Sequence, residues 1–187
     1  MAQTSKTDNS FLASKIMLRA RHLPVDPVRV LDCYAGTGLI WDGVTEYTGR
    51  AIKVLPIDKR KDISRFRLPG DNTRYLRTLD LAPFNVIDLD AYGIPFSQLE
   101  TVFDRKWKGT VFVTFIQTMF GQLPSDLLAA VGFSDAQREK IPTLLGMRGW
   151  QYFAQWLASR GVRKIHHMSH SRSPSLSTDT HVDMMLT

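Results

Sequence analysis

Cysteine is nearly absent: 187 residues hold one, Cys33. A disulfide within the chain is therefore excluded, and a lone thiol fits a reducing compartment. No apolar run approaches the roughly 20 residues that a membrane helix needs. The opening stretch, MAQTSKTDNS, is polar and lacks the apolar core of a secretion signal. These absences point to the cytoplasm and away from a membrane. Internal repeats and interdomain linkers are also missing. The expectation is a mobile tail over 1–9 and one domain over 10–187.

What is present is ordinary in amount and uneven in placement. Hydrophobic residues make up 43% and charged residues 22%, as in a globular domain with a real core. The net charge is +6. Residues 50–77 carry nine Lys/Arg (Arg50, Lys53, Lys59, Arg60, Lys61, Arg65, Arg67, Arg74, Arg77) and three acids, which is the entire excess. Such a concentration suits a polyanion such as RNA or DNA. A solvated basic surface explains it equally well.

Periodicity gives the elements. FLASKIMLRARHL (11–23) reads as a helix with Ser10 as its cap, ended by Pro24 and Pro27. VRVLDCY (28–34), AIKVLPI (51–57), FNVIDLD (84–90) and GTVFVTFIQT (109–118) read as strands. Helices are expected over 38–47, 73–80, 95–103 and 148–161, with short helical pieces at SDLLAAVG and SDAQREKIP. VRKIHHMS (162–169) and THVDMMLT (180–187) have no helix between them and should pair as a hairpin. Strands alternating with helices predict an α/β sandwich on a mainly parallel sheet.

In such a sheet ligands bind at the carboxyl ends of the strands, where strand order reverses. DCYAGTG leaves the first strand at that end. Gly36 and Gly38 permit positive φ and close approach of backbone to ligand. A dinucleotide fingerprint needs a third glycine where Trp41 stands, and a P-loop needs Gly-Lys-Ser/Thr. Pyrophosphate ligands are therefore disfavoured. Asp58, closing the second strand, can accept hydrogen bonds from two ribose hydroxyls. Asp32 adds negative charge beside the loop, which suits a cationic ligand. S-adenosylmethionine combines a ribose, an adenine, a sulfonium and an amino acid.

VLDCYAGTG resembles the first motif of the class I S-adenosylmethionine-dependent methyltransferases. VLPID resembles their second, PGDNTRYL the third and NVIDLDAYGIP the fourth, in order across 28–118. The resemblance implies a three-layer α/β sandwich on a mostly parallel seven-stranded sheet with a C-terminal antiparallel hairpin. It implies a cofactor site formed by Asp32, Tyr34, Gly36, Gly38, Asp58, Asp71 and Asn72, the last two meeting the adenine end. DLDAYGIP also resembles the Asp-Pro-Phe/Tyr-Gly of tRNA guanine-N2 methyltransferases and, more loosely, the fourth motif of enzymes that methylate base amines. That likeness implies that Asp90 and the Ala91 carbonyl accept the N–H bonds of a base amine, and that Tyr92 stacks on the extruded base. Lys59, Arg60, Lys61, Arg65 and Arg67 would touch phosphates. Ala91 replaces the proline of that motif, which loosens the turn.

The remaining candidates have plainer roles. Asp88, inside a strand, reads as a satisfied structural carboxylate. Adjacent strand residues His166 and His167 point to opposite faces, so with His170 they make a poor metal site. Cys33 reads as a small core residue. Trp150, Phe153, Trp156 and Leu157 sit at helical spacing and read as core. A cap before GIPFSQLE is the plain alternative for Asp90. Three functions stay open: a methyltransferase for a base amine of RNA or DNA, a methyltransferase for a protein or small molecule, and an inactive methyltransferase-like scaffold. A partner chain for substrate recognition fits the small size.

Overall fold

The computed structural model describes residues 11–60, 68–117, 123–140, 148–171 and 180–186. The elements are α1 (Leu12–Arg21), β1 (Val28–Asp32), α2 (Leu39–Thr48), β2 (Ile52–Asp58), β3 (Leu68–Pro69) and α3 (Asn72–Thr78). They continue with β4 (Val86–Leu89), α4 (Phe96–Asp104), β5 (Thr110–Gln117), α5 (Ser125–Ala130) and α6 (Asp135–Lys140). The chain closes with α7 (Gly149–Ser159), β6 (Ile165–Ser171) and β7 (Thr180–Leu186). Ser10, expected to cap α1, lies outside the described residues, and Phe11 occupies the cap position in a left-handed conformation.

The strands form one sheet in the order β3-β2-β1-β4-β5-β7-β6. The first five in that order run parallel, and β7 is antiparallel to both β5 and β6. Strand order reverses between β1 and β4, so the crevice for a ligand opens between their carboxyl ends. β3 falls where the basic stretch gave no pattern, and two residues with a proline are too few to show one.

Helices cover both faces. Side chains alternate along each strand, so each face has its own core. On one face Val28, Val30, Val86 and Phe112 pack with Trp41 and Val44 of α2 and with Ile16 and Ala20 of α1. Gly43 lets α1 and α2 close up: a Cβ there would lie 2.4 Å from Ile16 Cδ1. On the other face Leu31, Ile57, Ile87, Leu89, Val113 and Phe115 meet α3, α4, α5 and α7. Phe153, Trp156 and Leu157 are fully buried there, as their spacing predicts. Trp150 is only partly buried and lies edge-on to Phe115 at 6.0 Å.

Candidate functional site

The glycine loop is stitched to both neighbouring strands. Cys33 N–H donates to the Asp88 carbonyl at 2.9 Å, and Ala35 N–H to the Ile57 carbonyl at 3.0 Å. Gly36 (φ 49°) and Gly38 (φ 87°) then turn the chain into α2 in the left-handed region that a side chain strains. No side chain caps the start of α2. Trp41 is buried between α2 and the sheet, edge-on to Phe112 at 6.0 Å, and its indole N–H has no hydrogen-bond partner among the described residues. A third glycine there would let helix and sheet pack more closely; Trp41 instead fills the interface.

Asp58 stands at the carboxyl end of β2. Its Oδ2 accepts from Gly36 N–H at 2.8 Å and its Oδ1 from Arg60 N–H at 2.9 Å. Oδ1 also accepts from Arg60 Nε at 3.4 Å, whereas Oδ2 keeps an acceptor position among the described residues. Asp71 caps α3 by accepting from Arg74 N–H at 3.1 Å. That bond, helped by Lys59 at 3.2 Å, holds Asp71 below the usual carboxylate range. Asn72 is buried and turned inward: its amide donates to the Cys33 carbonyl at 2.9 Å and accepts from Gln98 Nε2 at 3.1 Å. It also bonds the half-buried Tyr34, whose phenol burial pushes up to about 12. Asn72 thus fixes α3 to the end of β1.

A charged cluster occupies the α1 side of the same strands. Asp32, Asp88, Asp90 and Thr114 continue the face that begins with Val30, Val86 and Phe112, so this core turns from apolar to ionic at the carboxyl ends. Arg19, 1% exposed, grips Asp88 through Nε at 2.6 Å and Nη2 at 2.7 Å. Asp88 is therefore the satisfied carboxylate that its strand position suggested. Lys15 Nζ lies 2.8 Å from Asp90 Oδ1 and 3.0 Å from Oδ2, and Thr114 donates to Oδ1. Burial opposes ionisation of Asp90, but Arg19, Lys15 and Thr114 outweigh it and hold the carboxyl below its usual range. The helix-cap alternative for Asp90 is not the arrangement found, since Pro95 precedes α4 and no side chain caps it. Asp90 is a bound anion with most of its acceptor capacity taken.

Tyr92 is different. It is 83% exposed at the rim of the crevice, beside Gly93 with φ 128°. Cys33 is buried, and desolvation together with Asp32 and Asp88 pushes its thiol well up, which keeps it neutral and unreactive. His22 and His166 pack ring to ring at 4.2 Å, while His167 faces Trp150 at 5.7 Å on the other side. No group that could hold a metal ion occurs among the described residues, and none of their helices is long and apolar enough to cross a membrane.

The described basic residues of 50–77 do not form one patch. Arg50 and Lys53 lie at the amino end of β2, where Arg50 pairs with Asp26 at 2.7 Å. Lys59 and Arg60 lie at the carboxyl end, paired with Asp71 and Asp58. Lys61, Arg65 and Arg67 fall outside the described residues. Sequence reasoning missed Lys15, Arg19, Thr114 and Gln98. The available signal was two aspartates on one face of an otherwise apolar strand, which demand buried cations, and a basic i, i+4 pair beside the apolar stripe of α1.

No family model matches the sequence, and no curated protein matches it. Solved structures do. The N-terminal domain of EvdMO1, crystallised in the presence of SAH and D-fucose, superposes with a TM-score of 0.57 at 14% identity, over 96% of this chain and 84% of that one. M. jannaschii TYW2 in complex with AdoMet gives 0.54 at 11%, over 98% and 78%. Precorrin-6y C5,15-methyltransferase from Geobacter metallireducens GS-15 gives 0.51 at 9%, over 100% and 92%. At these identities the likeness shows a shared fold: an α/β sandwich with a parallel sheet flanked by helices.

Proposed function

We propose that the protein binds S-adenosylmethionine at the carboxyl ends of β1, β2 and β4 and transfers its methyl group to a base amine of RNA or DNA. The observation that carries this reading is the convergence, at the point where strand order reverses, of a positive-φ glycine loop, the strand-end carboxylate of Asp58 and the exposed Tyr92. Two structures of like fold hold AdoMet or were crystallised with SAH. The donor set fits the cofactor. Asp58 Oδ2 keeps an acceptor position for one ribose hydroxyl, and a second hydroxyl would replace the long Arg60 Nε contact on Oδ1; Gly36 and Gly38 admit the ligand to the backbone, and Asp71 reaches the adenine end. Asp32 and Tyr34 border the amino-acid end. Bound there, the cofactor supplies an electrophilic methyl group.

This chain's residues would place the acceptor. Tyr92 stacks on the base. Asp90 offers the remaining acceptor position on Oδ2 to one N–H, and the Ala91 carbonyl takes the other. Positioning then does most of the catalytic work. Lys59, Arg60, Lys61, Arg65 and Arg67 would contact phosphates. The test is incubation with methyl-labelled S-adenosylmethionine and tRNA, rRNA or DNA. Label should enter a base amine, and Tyr92→Ala should lower transfer by about tenfold or more without weakening cofactor binding.

A second reading is a methyltransferase-fold protein that binds the cofactor without transferring its methyl group. It is favoured by the Lys15–Asp90 ion pair, which occupies the acceptor carboxylate, and by Ala91 in place of proline. Cofactor binding with no labelled nucleic acid, protein or small molecule would select it.

A further inference from the structure

Among the described residues, the charged cluster under α1 is one cation short. Asp32 and Asp88 stand side by side in the β1–β4 register, and Asp90 follows on the same face. Against these three carboxylates α1 sets two cations. Arg19 is committed to Asp88 by two short bonds. Lys15 is committed to Asp90. Asp32 is 5% exposed, and its carboxyl accepts a single hydrogen bond among the described residues, from Tyr34 N–H at 3.2 Å.

The charges around Asp32 come from every side. β4 contributes Asp88 and Asp90, and α1 contributes Arg19. The Cys33 thiol and Tyr34 phenol, next in the chain, are both held neutral. α2 lays Ile40, Trp41 and Val44 on this face and β5 adds Thr114, none of them charged. A buried carboxylate with one neutral hydrogen bond and a carboxylate neighbour is poorly stabilised as an anion.

We propose that Asp32 selects a cationic ligand by exchanging a proton for it. In the free protein the Asp32 carboxyl is protonated. A ligand that brings a positive group to the end of β1 displaces that proton to solvent and pairs with the carboxylate left behind. No covalent bond other than the O–H changes. Burial and the neighbouring Asp88 push Asp32 well above the usual carboxylate range, in the direction this exchange requires. The inference rests on the S-adenosylmethionine reading, in which the positive group is the sulfonium or the α-ammonium. Because the bound state holds one proton fewer, affinity rises with pH, by up to about tenfold per unit, until Asp32 is ionised in the free protein as well.

The experiment is calorimetric titration of the full chain with S-adenosylmethionine and with S-adenosylhomocysteine, each in phosphate and in imidazole buffer at about pH 6.5. The expected result is a buffer-dependent heat corresponding to nearly one proton released per S-adenosylmethionine bound. Asp32→Asn mimics the protonated carboxyl and so keeps the fold, which a thermal melt checks. It should bind with no proton release and no pH dependence. Release with both ligands assigns the ammonium, and release with S-adenosylmethionine alone assigns the sulfonium; either supports the exchange. Binding with the same heat in both buffers overturns it and leaves the cofactor reading intact, as does equal release from Asp32→Asn. No binding of either ligand to the folded protein removes the cofactor reading and the exchange with it.

Discussion

The two faces of the sheet are built from alternate residues of the same strands, yet they do different work. On the face toward α3, α4, α5 and α7, β1 and β4 present Leu31, Ile87 and Leu89, buried among aromatic rings. Phe153 stacks on Phe115 at 5.0 Å and on Trp156 at 5.8 Å. On the face toward α1 and α2, one step along each strand, the residues are Asp32, Asp88 and Asp90. The first face is apolar and gives stability. The second tolerates unfavourable buried charge at the end of the sheet where a ligand would sit. Stability and site chemistry are thus separated by the two-residue period of a strand.

That separation can be broken from either side. The largest effect is expected on the apolar face. Phe153→Ala should lower unfolding free energy by about 4 kcal/mol, read by denaturant titration, with cofactor affinity unchanged once the protein is folded. On the ionic face Arg19→Met strands Asp88 in the interior. The loss should be about 3 kcal/mol, near the low end for a buried pair because Lys15 also lies close enough to stabilise Asp88. Pairing it with Asp88→Leu should restore most of the stability.

Within the ionic face, two aspartates should answer pH with opposite sign. Asp90 is held below its usual range, so its contribution is present above about pH 4 and lost as pH falls through its folded-state value. Asp90→Asn should therefore destabilise at neutral pH, with the gap closing in acid. Asp32 is held above its usual range, so its contribution is complete in acid and lost as pH rises through its folded-state value. Asp32→Asn should match the parent in acid and exceed it in stability at neutral pH. Thermal melts from about pH 3 to about pH 8 compare the two. The smallest effect belongs to neither face: Asp71→Ala removes the α3 cap and should cost about 1 kcal/mol.

The alternation of strands and helices was legible because each element is long enough to show its period. β1, β2, β4 and β5 fall within a few residues of their sequence bounds, and so do α1, α2, α3, α4 and α7. The glycine loop and Asp58 were legible too, since loop and strand end are local features. The positive charges that cluster in sequence are spread in space among the described residues. Arg50 precedes β2 and Lys59 and Arg60 follow it, with a strand of about 20 Å between them, so neighbours in sequence are not one surface. Lys15 and Arg19 were illegible for the reverse reason: their partners lie 75 and 69 residues away, and only the folded sheet brings them together. Asn72 was read as a ligand contact. Its burial under Gln98 and its bond to the Cys33 carbonyl make it a tie between α3 and β1.

The proposed ligand site lies at the carboxyl ends of β1, β2 and β4. Amide chemical shifts of the isotope-labelled chain, followed during addition of S-adenosylmethionine, test it most directly. Perturbations are expected to concentrate at residues 32–39, 58–60, 71–72 and 90–93. Shifts confined to the groove between α3 and α4, lined by Arg77, Glu100 and Arg105, or no shifts at saturating cofactor, would contradict it.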